Sequence, residues 1–141
     1  MARSHGKDAV FKIDDSGGTL RDISNHVDNV SGLPGARAMS ELTSYGDTGD
    51  RFIPGTQGTR FTVTGQFDSA ALTGSATVLN SLRTAANTAT YEYGPEGSTA
   101  SDIKYTGECW MENFTVDASV KEKVPFSATF VTDNAITVSA F

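Results

Sequence analysis

The sequence predicts a mainly β, antiparallel fold with one flanking α-helix, and three observations carry that prediction. Thr, Ser, Val and Phe recur at period two through most of the 141 residues, the spacing that turns successive side chains to opposite faces of a strand. Clusters of Gly, Asn and Asp punctuate those runs as turns. Only one segment, ending near Ala86, has its apolar residues at helical spacing. The length and a hydrophobic content of 38% suit one domain over residues 1–141, with a lean core and a largely polar surface.

The elements follow in order. Met1–Lys7 reads as an N-terminal arm in which Arg3, His5 and Lys7 form the densest positive spot of an acidic chain. A short strand is expected over Ala9–Ile13, a turn over Asp14–Gly18, and a second strand over Thr19–Ser24. Pro34 and Gly35 break the run that follows, which puts the next strand at Arg37–Tyr45. After the long loop Gly46–Gly58, the strand Thr59–Phe67 sets Phe61, Val63 and Phe67 on one face and Thr62, Thr64 and Gln66 on the other. In the helix, Val78 with Leu82 and Leu79 with Leu82 have i,i+4 and i,i+3 spacing. Asp68 or Ser69 can cap its start, while Gly74 weakens the first turns by about 1 kcal/mol relative to Ala. Strands are then expected at Thr88–Gly94, Ile103–Ser119 and Val124–Thr132, with a final short strand over 135–141. Trp110, Phe114 and Val116 share a face by parity, and Glu112 among them calls for a bulge or an interface position.

Composition excludes several kinds of chemistry. A net charge of −6 argues against gripping a phosphate backbone, which needs clustered Lys and Arg. Cys109 is the single cysteine, so neither an intrachain disulfide nor a Cys-based zinc site is expected, and a buried, inert thiol is the reading. His5 and His26 lie in no metal or nucleophile frame, and Asp14–Asp15 and Asp47–Asp50 sit in Gly-rich turns where Asp bonds backbone amides. No phosphate-binding loop, dinucleotide fingerprint or nucleophile elbow occurs, so neither an enzyme nor a cofactor is expected. No apolar run is long enough for a membrane helix, and the N-terminus lacks the apolar region of a secretory signal.

What exceeds an ordinary β domain is the loop "GDTGDRFIPGTQG" at Gly46–Gly58. Thirteen residues is a length at which structureless connections become unusual and often functional. Its centre, Asp47, Asp50, Arg51, Phe52, Ile53 and Pro54, holds two large apolar side chains whose burial could supply about 1.5–3 kcal/mol each. Two readings stand: a loop folded over its own domain, or a docking element for a neighbouring copy. In the second, disorder before docking would hold monomers apart until a nucleus exists.

The segment "RDISNHVDNVSGL" (Arg21–Leu33) resembles the opening of the tail tube proteins of long-tailed bacteriophages. "ELTSYGDTGDRFIPGTQGTRFTVTGQFD" (Glu41–Asp68) is similar to that family's next segment: Thr43, Gly46-Asp47, Phe52, Pro54-Gly55, then Gly65-Gln66-Phe67-Asp68 closing a strand. The helix and the C-terminal hairpin continue the same order, and "MARSHGKDAVFK" resembles tail proteins of actinobacterial phages. The resemblance implies an antiparallel β-sandwich or partial barrel that forms hexameric rings stacked into a hollow virion tail tube, assembled in the infected cell's cytoplasm. It implies that the long loop and the arm reach between rings, and that tape measure, tail-tip and tail terminator proteins are partners. Double-stranded DNA would pass through without specific binding. With four wall strands per subunit, a 24-stranded barrel has a backbone diameter of about 48 Å and a bore of about 37 Å. Thr62, Thr64, Gln66, Thr115, Asp117, Ser127 and Thr129 are then candidates for the lumen face, or for an ordinary outer surface. A tube subunit of a contractile tail or type VI-like machine, and a non-assembling decoration or binding module, are the alternatives.

Overall fold

The computed structural model describes residues 5–141. Seven strands form one antiparallel sheet in the order β2-β1-β7-β8-β9-β6-β3, and two more, β4 and β5, form a separate ribbon. In chain order these are β1 (Val10–Asp14), β2 (Leu20–Asp22), β3 (Val27–Ser31), β4 (Ala36–Glu41), β5 (Phe52–Gly58), β6 (Arg60–Gln66), β7 (Ala89–Gly94), β8 (Ile103–Val116) and β9 (Pro125–Ala140). One helix, α1 (Ser75–Leu82), lies between β6 and β7.

The large sheet is rolled. In a flat sheet, β1 and β6 would stand about 19 Å apart, four strand spacings. Yet the Phe11 and Phe61 rings are 6.3 Å apart, and Phe61 also lies 5.0 Å from both Tyr91 and Phe130. Phe61 is therefore the hub of a partial barrel, joined in the core by Ile13, Val63, Cys109, Phe126 and Ala128. The short Ser24–His26 turn joins the two edge strands, β2 and β3. The Ser24 hydroxyl accepts the Phe11 amide at 2.9 Å across the seam. Helix α1 buries Val78, Leu79 and Leu82 against this core.

Several boundaries depart from the sequence reading for identifiable reasons. Strand β3 was not expected, because Val27 and Val30 are three apart rather than two. A register shift between Val27 and Asn29 restores both to the core side. A second shift, between Met111 and Asn113, flanks Glu112, so the bulge is present. It also reverses parity: Phe114 and Val116 pair with the core residues Ala128 and Phe126, whereas Trp110 pairs with Val131 on the outer face. Trp110 therefore does not share a face with Phe114 and Val116. The last two expected strands are one continuous β9, and the strand at Arg37 stops at Glu41. The helix ends at Leu82 instead of Ala86, since no apolar stripe continues through Thr84, Asn87 and Thr88. Gly74 is its N-cap and lies outside it, and a Cβ there would fall 2.4 Å from the Asp68 carbonyl, so glycine is required by close approach. Asp68 serves the start through its backbone carbonyl, which accepts the Ala76 amide at 2.8 Å.

Candidate assembly surfaces

The first surface is the β4–β5 ribbon. Residues 52–58 form a strand, so the expected loop Gly46–Gly58 narrows to a connection between Glu41 and Phe52. Glu41 pairs with Phe52, Ser40 with Ile53 and Met39 with Pro54, and a shift follows before Arg37–Gln57. The ladder runs on as the Leu42 amide donates to the Arg51 carbonyl at 2.7 Å. At the tip the Asp47 carboxylate accepts the Ser44 amide at 2.8 Å and pairs with Arg51 at 3.8 Å. The Arg51 amide donates to the Thr43 hydroxyl at 3.0 Å. The tip is thus a built turn, with Gly46 supplying the positive φ of 91° that it needs.

Every residue of β4 and β5 is exposed. Phe52, Pro54 and Met39 share one face, while Ile53 and Leu42 lie on the other, so each face carries exposed apolar side chains among its polar ones. Tyr45 stands fully exposed at the tip, and Asp50 has no ion-pair partner among the described residues. Proline inside a strand is tolerated where its missing N–H faces no neighbour, which fits the edge-like β5. The ribbon's base is fixed: the Thr59 amide donates to the Thr132 hydroxyl and the Thr132 amide to the Thr59 carbonyl, each at 3.0 Å. Met39, Leu42 and Tyr45 belong to this surface but escaped the sequence reading, which centred the apolar tip on Phe52-Ile53.

The second surface is the outer face of β3, β6, β9 and β8. Thr64 pairs with Ser127 and Ser127 with Thr115, while Asn29 extends that row across β3. Thr62 pairs with Thr129 and Thr129 with Asn113, and Ser31 extends the second row. Gln66 pairs with Pro125, whose carbonyl accepts the Asp117 amide at 3.3 Å. All seven residues named as lumen candidates therefore lie on one face, together with Asn29, Ser31 and Asn113. These rows hold no lysine or arginine. Below them, Arg60 pairs with Glu112 at 2.9 Å. Glu108 then opposes Asp133 and accepts hydrogen bonds from Thr88 at 2.9 Å and from Thr90. Asp14 sits nearby and is pushed above the ordinary carboxylate range, first by desolvation and then by the charges of Glu108 and Asp15.

Of the N-terminal arm, Arg3 lies outside the described residues. His5 and Lys7 are exposed beside a single 3₁₀ turn at Gly6–Asp8, with the Lys7 amide donating to His5 Nδ1 at 3.0 Å. Cys109 is buried, and its thiol is raised well above its ordinary value by desolvation. Among the described residues no three His, Cys, Asp or Glu side chains gather as a metal site, and no helix is long and apolar enough to cross a membrane.

No family model and no curated protein sequence matches the chain. Solved structures do. A chain from the tail of an empty gene transfer agent particle, with C6 symmetry, matches with a TM-score of 0.77 at 12% identity, over 98% of this chain and all of its own. A chain of the SPP1 tail tube matches at 0.69 and 10% identity, covering 99% of this chain and 81% of that one. A chain from the sheath-tube complex of an extracellular contractile injection system matches at 0.67 and 15% identity, over 99% and 93%. At such identities the likeness establishes the fold: the chain shares its fold, over nearly its full length, with components of these tails and tubes.

Proposed function

We propose that the chain is a structural subunit of a phage-type virion tail, polymerising as stacked hexameric rings into a hollow tube that conducts double-stranded DNA. The observation that carries this is the β4–β5 ribbon, which bears large apolar side chains on both faces and is exposed along its whole length, a surface that a monomer has no use for. A two-stranded ribbon is marginal by itself in water and needs a partner surface. The C6 symmetry of the gene transfer agent tail supports six subunits per ring.

The hydroxyl and amide rows on β3, β6, β9 and β8 suit the inner wall. They span four adjacent strands, the number that the 24-stranded barrel requires of each subunit. A ring of six carries a formal −36, six times the chain's −6. Repulsion acts over a Debye length of about 8 Å at physiological salt, so it turns back only DNA that drifts close to the wall. Without lysine or arginine these rows offer phosphates no ion pair and release no counterions, so DNA gains little by stopping on them and slides.

Excising the ribbon tests the reading. Gly35 and Thr59 are in contact at its base, and residues 36–58 can be replaced by a short turn without cutting any strand of the seven-stranded sheet. The wild-type protein should form tubes of uniform diameter in negative stain, and the excised variant a folded monomer. A wild-type protein that stays monomeric at high concentration would sink the proposal and favour a non-assembling module. A contractile-system tube is the second reading, favoured by the sheath-tube likeness. Binding of a sheath protein to the finished tube separates the two.

A further inference from the structure

We infer that the cleft at the barrel seam is the receptor for the ribbon tip of a second copy of this chain. The inference rests on the tube reading above and names the surface that receives the ribbon. The cleft holds about 640 Å³ between the Val10 end of β1 and β3, with Val10, Val27, Val30 and Tyr93 on its walls and Lys7 and Asn29 at its rim. It exists because the sheet does not close. Strand β3 is outermost and pairs only with β6, while β2 covers β1 only over Lys12–Asp14. A concave trough walled in part by valines and Tyr93, with charged and polar side chains beside them, is a form that accepts an apolar knob carrying a charge.

The occupant is argued from the same molecule. The ribbon tip presents Leu42 and Tyr45, and an aromatic side chain buries about 150–250 Å² when it docks. Charge fits as well. Asp28 at the cleft is already paired with Lys123 at 2.7 Å, and Asp47 at the tip with Arg51. Lys7 at the rim and Asp50 at the tip have no ion-pair partner among the described residues, and their signs are opposite. Knob and hole occupy different parts of one surface, so the contact is head-to-tail and propagates instead of closing as a pair.

The test is a double-cysteine variant of the full chain, Tyr45→Cys with Asn29→Cys, both exposed positions, oxidised after assembly. A disulfide requires Cα atoms within about 7 Å, so it reports docking directly. The expected result is a ladder of covalent multimers on a non-reducing gel, with no ladder from either single variant. Tubes visible by microscopy without a ladder overturn the inference and leave the tube reading standing; absence of tubes in the unmodified protein overturns both. A ladder that appears only after residues 1–4 are deleted would place the chain's own N-terminus in the cleft and also overturns it. Independently, Lys7→Glu should raise the critical concentration about two- to five-fold, the range of an exposed ion pair, and Asp50→Lys should restore it. Failure of that rescue counts against the pairing.

Discussion

Replacing Phe52 and Ile53 together by serine tests the ribbon's contribution to the proposed assembly. The two side chains are 52% and 50% exposed in the free subunit, so each has about half its surface left to bury. Full burial of such a residue stabilises by about 1.5–3 kcal/mol, and half of that is about 0.8–1.5 kcal/mol apiece. In a head-to-tail lattice each subunit gives one ribbon and receives one, so a subunit loses about 1.5–3 kcal/mol. At 1.4 kcal/mol per tenfold, the critical concentration should rise about 10- to 150-fold. Sedimentation of tubes across a dilution series measures this. Because both residues sit off the core, the monomer's melting temperature should move by no more than about 2 °C. A variant that polymerises at the wild-type concentration refutes the reasoning, since the ribbon would then bury nothing.

Three further predictions concern the subunit itself. The Tyr91 hydroxyl is buried without a hydrogen-bond partner among the described residues, and desolvation pushes its pKa to about 12. Tyr91→Phe should stabilise by about 1–3 kcal/mol in denaturant unfolding, and a loss of stability would refute the orphan assignment. Asp14 and Asp15 should respond to pH in opposite directions. Burial raises Asp14, so its ionisation opposes folding as pH climbs above 3.8; Asp14→Asn should raise the melting temperature at pH 7 and change little at pH 3. Asp15 is lowered, first by the Thr19 amide and also by Arg21, so its stabilisation is present above 3.8 and lost in acid; Asp15→Asn should lower the neutral-pH value. Gly65→Ala would put a Cβ 1.9 Å from the His26 carbonyl oxygen and 2.8 Å from the Val27 Cα, both backbone. It should cost about 3 kcal/mol by prising β3 from β6, read as a lower denaturant midpoint.

Periodicity made the core strands legible and parity breaks hid the rest. Phe61, Val63, Phe126, Ala128 and Phe130 announce themselves by strict alternation, and all five are buried as expected. The same alternation put Thr62 with Thr64, and Ser127 with Thr129, on the polar side of their own strands, and the β6–β9 register joins them on one face. Strand β3 was illegible because its bulge turns a period-two signal into valines three apart. Trp110 was misassigned because the bulge at Glu112 changes which face an even residue occupies. The ribbon was half legible. Its Phe52-Ile53 pair stood out, but Pro54, Gly55 and Gly58 are what a loop also carries, and only the facing Ala36–Glu41 segment makes them a strand. A seam cleft depends on where a sheet fails to close, and no local pattern encodes that.

A preformed ribbon changes what would restrain the proposed assembly. A disordered loop would lose conformational entropy on docking, and that loss would hold monomers apart. Here the turn at Ser44–Asp47 and the ladder through Leu42–Arg51 already fix the backbone, so little entropy remains to lose. In the proposed tube, restraint would come from the ribbon's chemistry instead. Pro54 removes a donor from β5, the register shift beyond Met39 interrupts the flat edge, and Arg37 and Glu41 charge the β4 side. Each discourages edge-to-edge pairing between ribbons while leaving the tip free to enter a cleft. Net repulsion at −6 per chain acts in the same direction and weakens with salt. Raising ionic strength should therefore lower the critical concentration. A salt-independent threshold would mean that charge restrains nothing, and an order–disorder step would have to be sought elsewhere in the chain.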